Sequence, residues 1–165
     1  MESTTTLADT TVVITPEELR RHWQGHRDLT RRVIVAFPEK EFFEYSIGGM
    51  RPFAGMIKEL LGIAAPGIRE IAGGTTNELN EEFADVTTKE GILALWDAAT
   101  EEIDRLWATI PVSRFRERIV AFGQYEGTVW STLFYFVDNE IHHRGQGYVY
   151  LRSLGIEPPM FWDRK

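Results

Sequence analysis

The chain has 165 residues, 43% of them hydrophobic and 12% aromatic, which suits one domain with a full core and excludes general disorder. Its 25 acidic residues outnumber 18 basic ones, and the net charge of -7 opposes the counterion release that drives most nucleic-acid binding, so no nucleic-acid partner is expected. There is no cysteine, which excludes disulfides, thiolate metal sites and any catalytic thiol supplied by the chain itself.

The opening MESTTTLADTTVVIT lacks the basic region and long apolar core of a signal peptide, and no run is long enough to span a bilayer. A soluble, cytoplasmic protein with no membrane partner is expected. Residues 1–14 are rich in Thr and carry no helical period, so they read as a tail or short surface segment ahead of a single domain over 15–165. Thr15-Pro16-Glu17-Glu18 is a capping box with proline in the first turn, and it starts a helix that should run to Phe37, where Pro38 stops it. Leu19, Trp23, His26, Val33 and Phe37 form its inward stripe. His22 and His26 have the i, i+4 spacing of a metal pair on one helix, but two ligands rarely close a site. The simpler alternative is a hydrogen-bonded His26 at the core edge beside an exposed His22.

Residues 39–50, with Phe42, Phe43, Tyr45 and then Gly48-Gly49, read as a connection with aromatic anchors. A second helix is expected over 52–71, burying Phe53, Met56, Ile57, Leu60, Ile63 and Ile68, with Pro66 and Gly67 bending its last turns. Glu59 falls on the inner edge of that stripe and needs a cation, a donor or water; an arginine such as Arg144 or a metal ion would serve. The acidic stretch from Glu78 to Asp85 reads as a solvated loop or short turn. Thr87 to Glu90 reads as a second capping box, and Ile92, Trp96, Ala99, Ile103, Leu106 and Ile110 then repeat in a four-three rhythm as far as Pro111. Residues 112–128 suit a short strand or an extended crossover.

The last helix carries most of the chemistry. Phe134, Val137, Ile141, Tyr148 and Leu151 predict its buried stripe, and Gly155 with Pro158 and Pro159 ends it. Asn139 and His143 lie four residues apart on one facet, and Glu140 with His143 repeats the three-residue spacing of Glu-x-x-His ligands. Gly145 and Gly147 leave room for close approach of another helix or a ligand. His142 points elsewhere, toward the surface or a dimer seam, and Tyr150 follows His143 by two turns, where a pocket mouth would lie.

The run Asn139-Glu140-Ile141-His142-His143-Arg144-Gly145-Gln146, then Tyr150-Leu151-Arg152 and Leu154-Gly155-Ile156-Glu157-Pro158-Pro159, resembles the last-helix signature of the DinB-like family. Ser46-Ile47-Gly48, Arg51 and Phe53 extend the resemblance ahead of the second long helix. It implies an all-α fold, a four-helix bundle with a long crossover connection, and commonly a homodimer. It also implies a divalent metal such as nickel or zinc bound by three histidines, with activity as a thiol transferase, isomerase or metal-dependent hydrolase on a small molecule. Carried over by residue, the three ligand positions fall on Glu59, Asn139 and His143, so one histidine of three is retained. The metal set expected here is Glu59, His143 and either Asn139 or Glu140, favouring a harder ion or a weaker site. The alternative implied is a non-catalytic, stress-associated dimeric bundle whose Glu59, Asn139 and His143 bond one another.

Overall fold

Thr15 begins the first helix as its sequence requires. In the computed structural model, which describes residues 13–165, its hydroxyl accepts the Glu18 N–H at 3.1 Å while the Glu18 carboxylate accepts the Thr15 N–H at 2.7 Å. The expected tail over residues 1–14 lies outside the described residues except for Val13 and Ile14. Helix α1 spans Pro16–Ala36 and is followed by a short α2, Glu39–Glu44. Three further long helices are α3, Phe53–Gly73; α4, Lys89–Trp107; and α5, Val129–Ser153. Between α4 and α5 lie a 3-10 turn over Val112–Arg116 and an antiparallel hairpin of β1, Arg118–Ala121, and β2, Tyr125–Thr128. Phe122 and Gly123 turn the hairpin with φ of 54° and 68°.

The four long helices form the bundle, α1 and α3 each packing between α4 and α5. Arg20 bonds Asp104 and Arg31 bonds Asp97, so α1 and α4 are antiparallel, whereas Arg69 of α3 reaches Glu102 of α4 and the two run the same way. That parallel pair requires a connection running the length of the bundle, and residues 74–88 provide it by returning along α3. Asn77 donates to the Pro66 carbonyl at 3.1 Å, and Lys58 donates to the Phe83 carbonyl at 2.9 Å. Gly62 allows this return: a Cβ there would collide with the Asn80 carbonyl. The long crossover of the expected fold is therefore this segment, with Leu79 and Phe83 packed on the core, and not a solvated turn.

Other expectations shift for local reasons. Residues 39–44 close a helical turn that puts Phe42 against Phe37 and Phe53 in the core. The residue capping α4 is Thr88, whose hydroxyl accepts the Gly91 N–H, so Gly91 takes the position Glu90 needed and only half a capping box forms. On α5 the predicted stripe is turned by roughly a quarter of the helix circumference. Val137 and Leu151 are buried, but Phe134 and Ile141 are 41% and 38% exposed. The inner face instead carries Leu133, Phe136, Asn139, Glu140, His143, Arg144 and Gly147. Most of these are polar or lack a side chain, so hydrophobic periodicity pointed to the flank. Of the two glycines only Gly147 is in close contact, since a Cβ there would sit 2.5 Å from the Phe53 ring, while Gly145 faces open space.

Candidate functional site

The polar inner face of α5 divides into two clusters. Toward α3, which runs antiparallel to it, Asn139 and His143 meet Glu59. The Asn139 amide donates to Glu59 Oε1 at 3.0 Å, and His143 Nε2 lies 3.1 Å from the same oxygen. The sequence expectation that Glu59, Asn139 and His143 come together is thus met. His143 Nδ1 sits 2.7 Å from the side-chain oxygen Oε1 of Gln146, which accepts the ring proton in the Nδ1–H tautomer. Burial pushes the His143 pKa below its ordinary value and outweighs the opposing Gln146 hydrogen bond, while nearby Arg51 lowers it further and Glu81 raises it. The neutral ring has one proton for two facing acceptors, Gln146 Oε1 and Glu59 Oε1, so it donates to one of them and presents a lone pair to the other. In the Nδ1–H tautomer His143 Nε2 and Glu59 Oε1 are two acceptors 3.1 Å apart, a slot for a cation.

Arg51 supplies one. Its guanidinium is hydrogen-bonded to Glu59 Oε2 and lies 3.5 Å from His143 Nε2. Tyr150 holds the Arg51 backbone by donating its hydroxyl to the Arg51 carbonyl at 3.0 Å, and Tyr150 is fully buried and not at a pocket mouth. Arg51 replaces Arg144 as the partner of Glu59, and sequence offered no signal for this because Arg51 precedes α3 in an irregular segment.

The second cluster, toward α1, corrects the remaining candidates. Glu140 is 1% exposed and accepts from Trp23 Nε1 at 3.0 Å and Thr30 Oγ1 at 2.7 Å, with Arg27 at 3.7 Å and Arg144 at 3.9 Å. It turns away from Glu59 and His143 because successive residues on a helix diverge by about 100°, so it does not replace Asn139 as a ligand. Arg144 donates to the His26 carbonyl and to His26 Nδ1. Arg27 is fully buried with its guanidinium 4.0 Å above the Trp96 ring, a placement for which the sequence pattern holds no signal. His26 is buried and its Nε2 lies 3.1 Å from that of exposed His22, the simpler of the two readings of that pair. Burial, then the positive charge of Arg144, lowers the His26 pKa to about 3.

Beside Glu59 lies a cavity of about 270 Å³ between α3, α5 and the hairpin. Phe122, Tyr125, Tyr135 and Phe136 contribute aromatic walls, and Ser131 and Thr132 contribute hydroxyls. Glu70 fixes the hairpin turn at its edge. Its carboxylate accepts the Phe122 N–H at 3.1 Å and the Asn77 N–H at 3.0 Å.

As a metal set, the cluster offers one imidazole, one carboxylate and one amide. The Gln146 contact at Nδ1 is the kind of outer support a histidine ligand uses. A tight nickel or zinc centre takes three strong protein donors, and among the described residues no group of three or more His, Asp or Glu is arranged to hold a metal ion. The one imidazole and one carboxylate are donors that a harder, oxygen-tolerant divalent ion would accept, and Arg51 stands where such an ion would sit. Among the described residues, no helix is long and apolar enough to cross a membrane.

Comparison with known proteins agrees with this architecture. The family model of the DinB family matches residues 1–164. A DinB-like protein from Bacillus cereus superposes with a TM-score of 0.72 at 15% identity, covering 88% of this chain and 97% of that one. A DinB-like protein from Bacillus subtilis superposes with a TM-score of 0.68 at 18% identity, covering 89% and 99%. At these identities the structures share the fold alone. No curated protein matches the chain by sequence.

Proposed function

This chain belongs to the DinB family, and we propose that its Glu59, Asn139 and His143 cluster is a divalent-cation site serving a small-molecule reaction in the adjoining cavity. The observation that carries this reading is the Nε2 of His143 facing Glu59 Oε1 at 3.1 Å, at the wall of a cavity that Glu59 itself lines. A bound ion would supply Lewis-acid activation of a thiol or water toward a small electrophile. Glu59 and His143 would hold it, Asn139 would orient the carboxylate, and Gln146 would keep the histidine in the ligating tautomer. With no cysteine in the chain, a thiol must come from a cosubstrate. Reaction as a thiol transferase or a hydrolase is compatible with that arrangement.

The test is titration of manganese, nickel and zinc into the wild type and into Arg51→Ala, Glu59→Gln and His143→Ala. One equivalent should bind, about tenfold more tightly in Arg51→Ala because the competing guanidinium is gone, and not at all in the other two. If Arg51→Ala takes up no ion at millimolar concentration, the cation-site reading is wrong.

The ion pair between Arg51 and Glu59 favours a second reading, a non-catalytic bundle in which the arginine permanently satisfies the cluster. Either reading is proposed for a homodimer. Its seam would be the outer face of α5, where Phe134, Ile141 and Val149 are 41%, 38% and 55% exposed beside Trp130. Light scattering of Ile141→Glu should then show a monomer where the wild type is dimeric.

A further inference from the structure

The cavity carries a chemical preference separate from any metal. Among the described residues three carboxylates, those of Glu59, Glu81 and Glu126, line it, and no lysine, arginine or histidine does. Two of the three are answered from within the protein, Glu59 by Arg51 and Glu126 by Arg118 at 2.6 Å. Glu81 has no cationic partner within 4.0 Å among the described residues. The remaining wall is aromatic and aliphatic, from Phe122, Tyr125, Tyr135 and Phe136 to Ile63 and Leu79. Ring faces and a free carboxylate attract the same kind of group, a cation with an apolar body.

We infer that this cavity binds a small organic cation, an amine carried on an aromatic or branched aliphatic body, with the ammonium against Glu81. The volume of about 270 Å³ has room for roughly nine water-sized groups, the size of an arylalkylamine. The inference rests on reading the cavity as the small-molecule site, but not on metal occupancy.

The experiment is calorimetric titration of the full chain, in chelator-containing buffer, with 2-phenylethylamine, 2-phenylethanol and phenylacetate, three probes of similar size and different charge. The amine should bind saturably, the alcohol about tenfold more weakly, and the anion not measurably. Glu81→Gln should weaken the amine about tenfold and leave the alcohol unchanged. Thr132→Trp, which fills the cavity, should abolish amine binding. Equal binding of amine and alcohol, or an amine affinity indifferent to Glu81→Gln, overturns the charge preference while the cavity remains a ligand site. Amine binding that survives Thr132→Trp places the amine elsewhere and overturns the inference. If no probe binds, the reading of the cavity as a small-molecule site fails with it, and ion titration of Arg51→Ala reports separately on the cation cluster.

Discussion

Glu140→Leu should be the most damaging single change outside the apolar core. Its carboxylate is 1% exposed and stands 3.7 Å from Arg27 and 3.9 Å from Arg144, cations that are themselves 1% and 5% exposed. At an effective dielectric of about 20, each attraction is about 4 kcal/mol, and removing the anion leaves two buried like charges without it. Against this stands the desolvation of the carboxylate itself, several kcal/mol, which the substitution removes. Trp23 Nε1 and Thr30 Oγ1 also lose their acceptor, at about 1–3 kcal/mol each where no replacement is found. The opposing quantities leave a net loss of about 3–5 kcal/mol. Urea denaturation, with the slope checked for two-state behaviour, measures it directly, and for a chain of this length the midpoint of thermal unfolding should fall by about 6–20 °C. Adding Arg27→Met to Glu140→Leu should recover part of the loss, because one uncompensated buried cation disappears. A loss below about 1 kcal/mol for Glu140→Leu, or a double variant weaker than the single, would refute the view that this carboxylate neutralises the interior.

Two further outcomes follow from the same packing. Gly147→Ala places a methyl 2.5 Å from the Phe53 ring and should cost about 1–3 kcal/mol, whereas Gly145→Ala meets nothing within 4 Å and should stabilise by about 0.5–1 kcal/mol; thermal melts of the pair report opposite signs. The His26 pKa is depressed to about 3, so between that value and the unfolded value of about 6.5 the unfolded chain binds a proton that the folded one refuses. Stability should therefore be full above about pH 6.5 and fall by about 1.4 kcal/mol per pH unit below it. Lowered pKa values at His22 and His143 add in the same direction. Denaturation at pH 6.5 and pH 5.0 should show a drop that His26→Asn reduces by about 2 kcal/mol, and an equal drop in both proteins would refute the assignment.

Several features were legible before any coordinates because they depend on neighbours in the chain. The Thr15 cap, the stop at Pro38, the inward stripe of Leu19, Trp23, His26, Val33 and Phe37, and that of Ile92, Trp96, Ala99 and Ile103 are local consequences of helical geometry. The last-helix motif located Asn139 and His143, and the position of Glu59 in the second stripe marked a carboxylate in need of a partner. The facing of α5 is not legible in this way because its inward side holds Glu140, Arg144 and Gly147, which a hydrophobic pattern does not register.

Sequence by itself determined the family, the four long helices and the three residues that meet at the candidate site, since each is written in spacing or in a contiguous motif. Only the tertiary structure decided which cation answers Glu59, that Glu140 belongs to Arg27 and Arg144, and that residues 74–88 run back along α3. Those outcomes depend on side chains from separate helices competing for the same buried charge and the same space. Such competition is settled by distances in the folded chain.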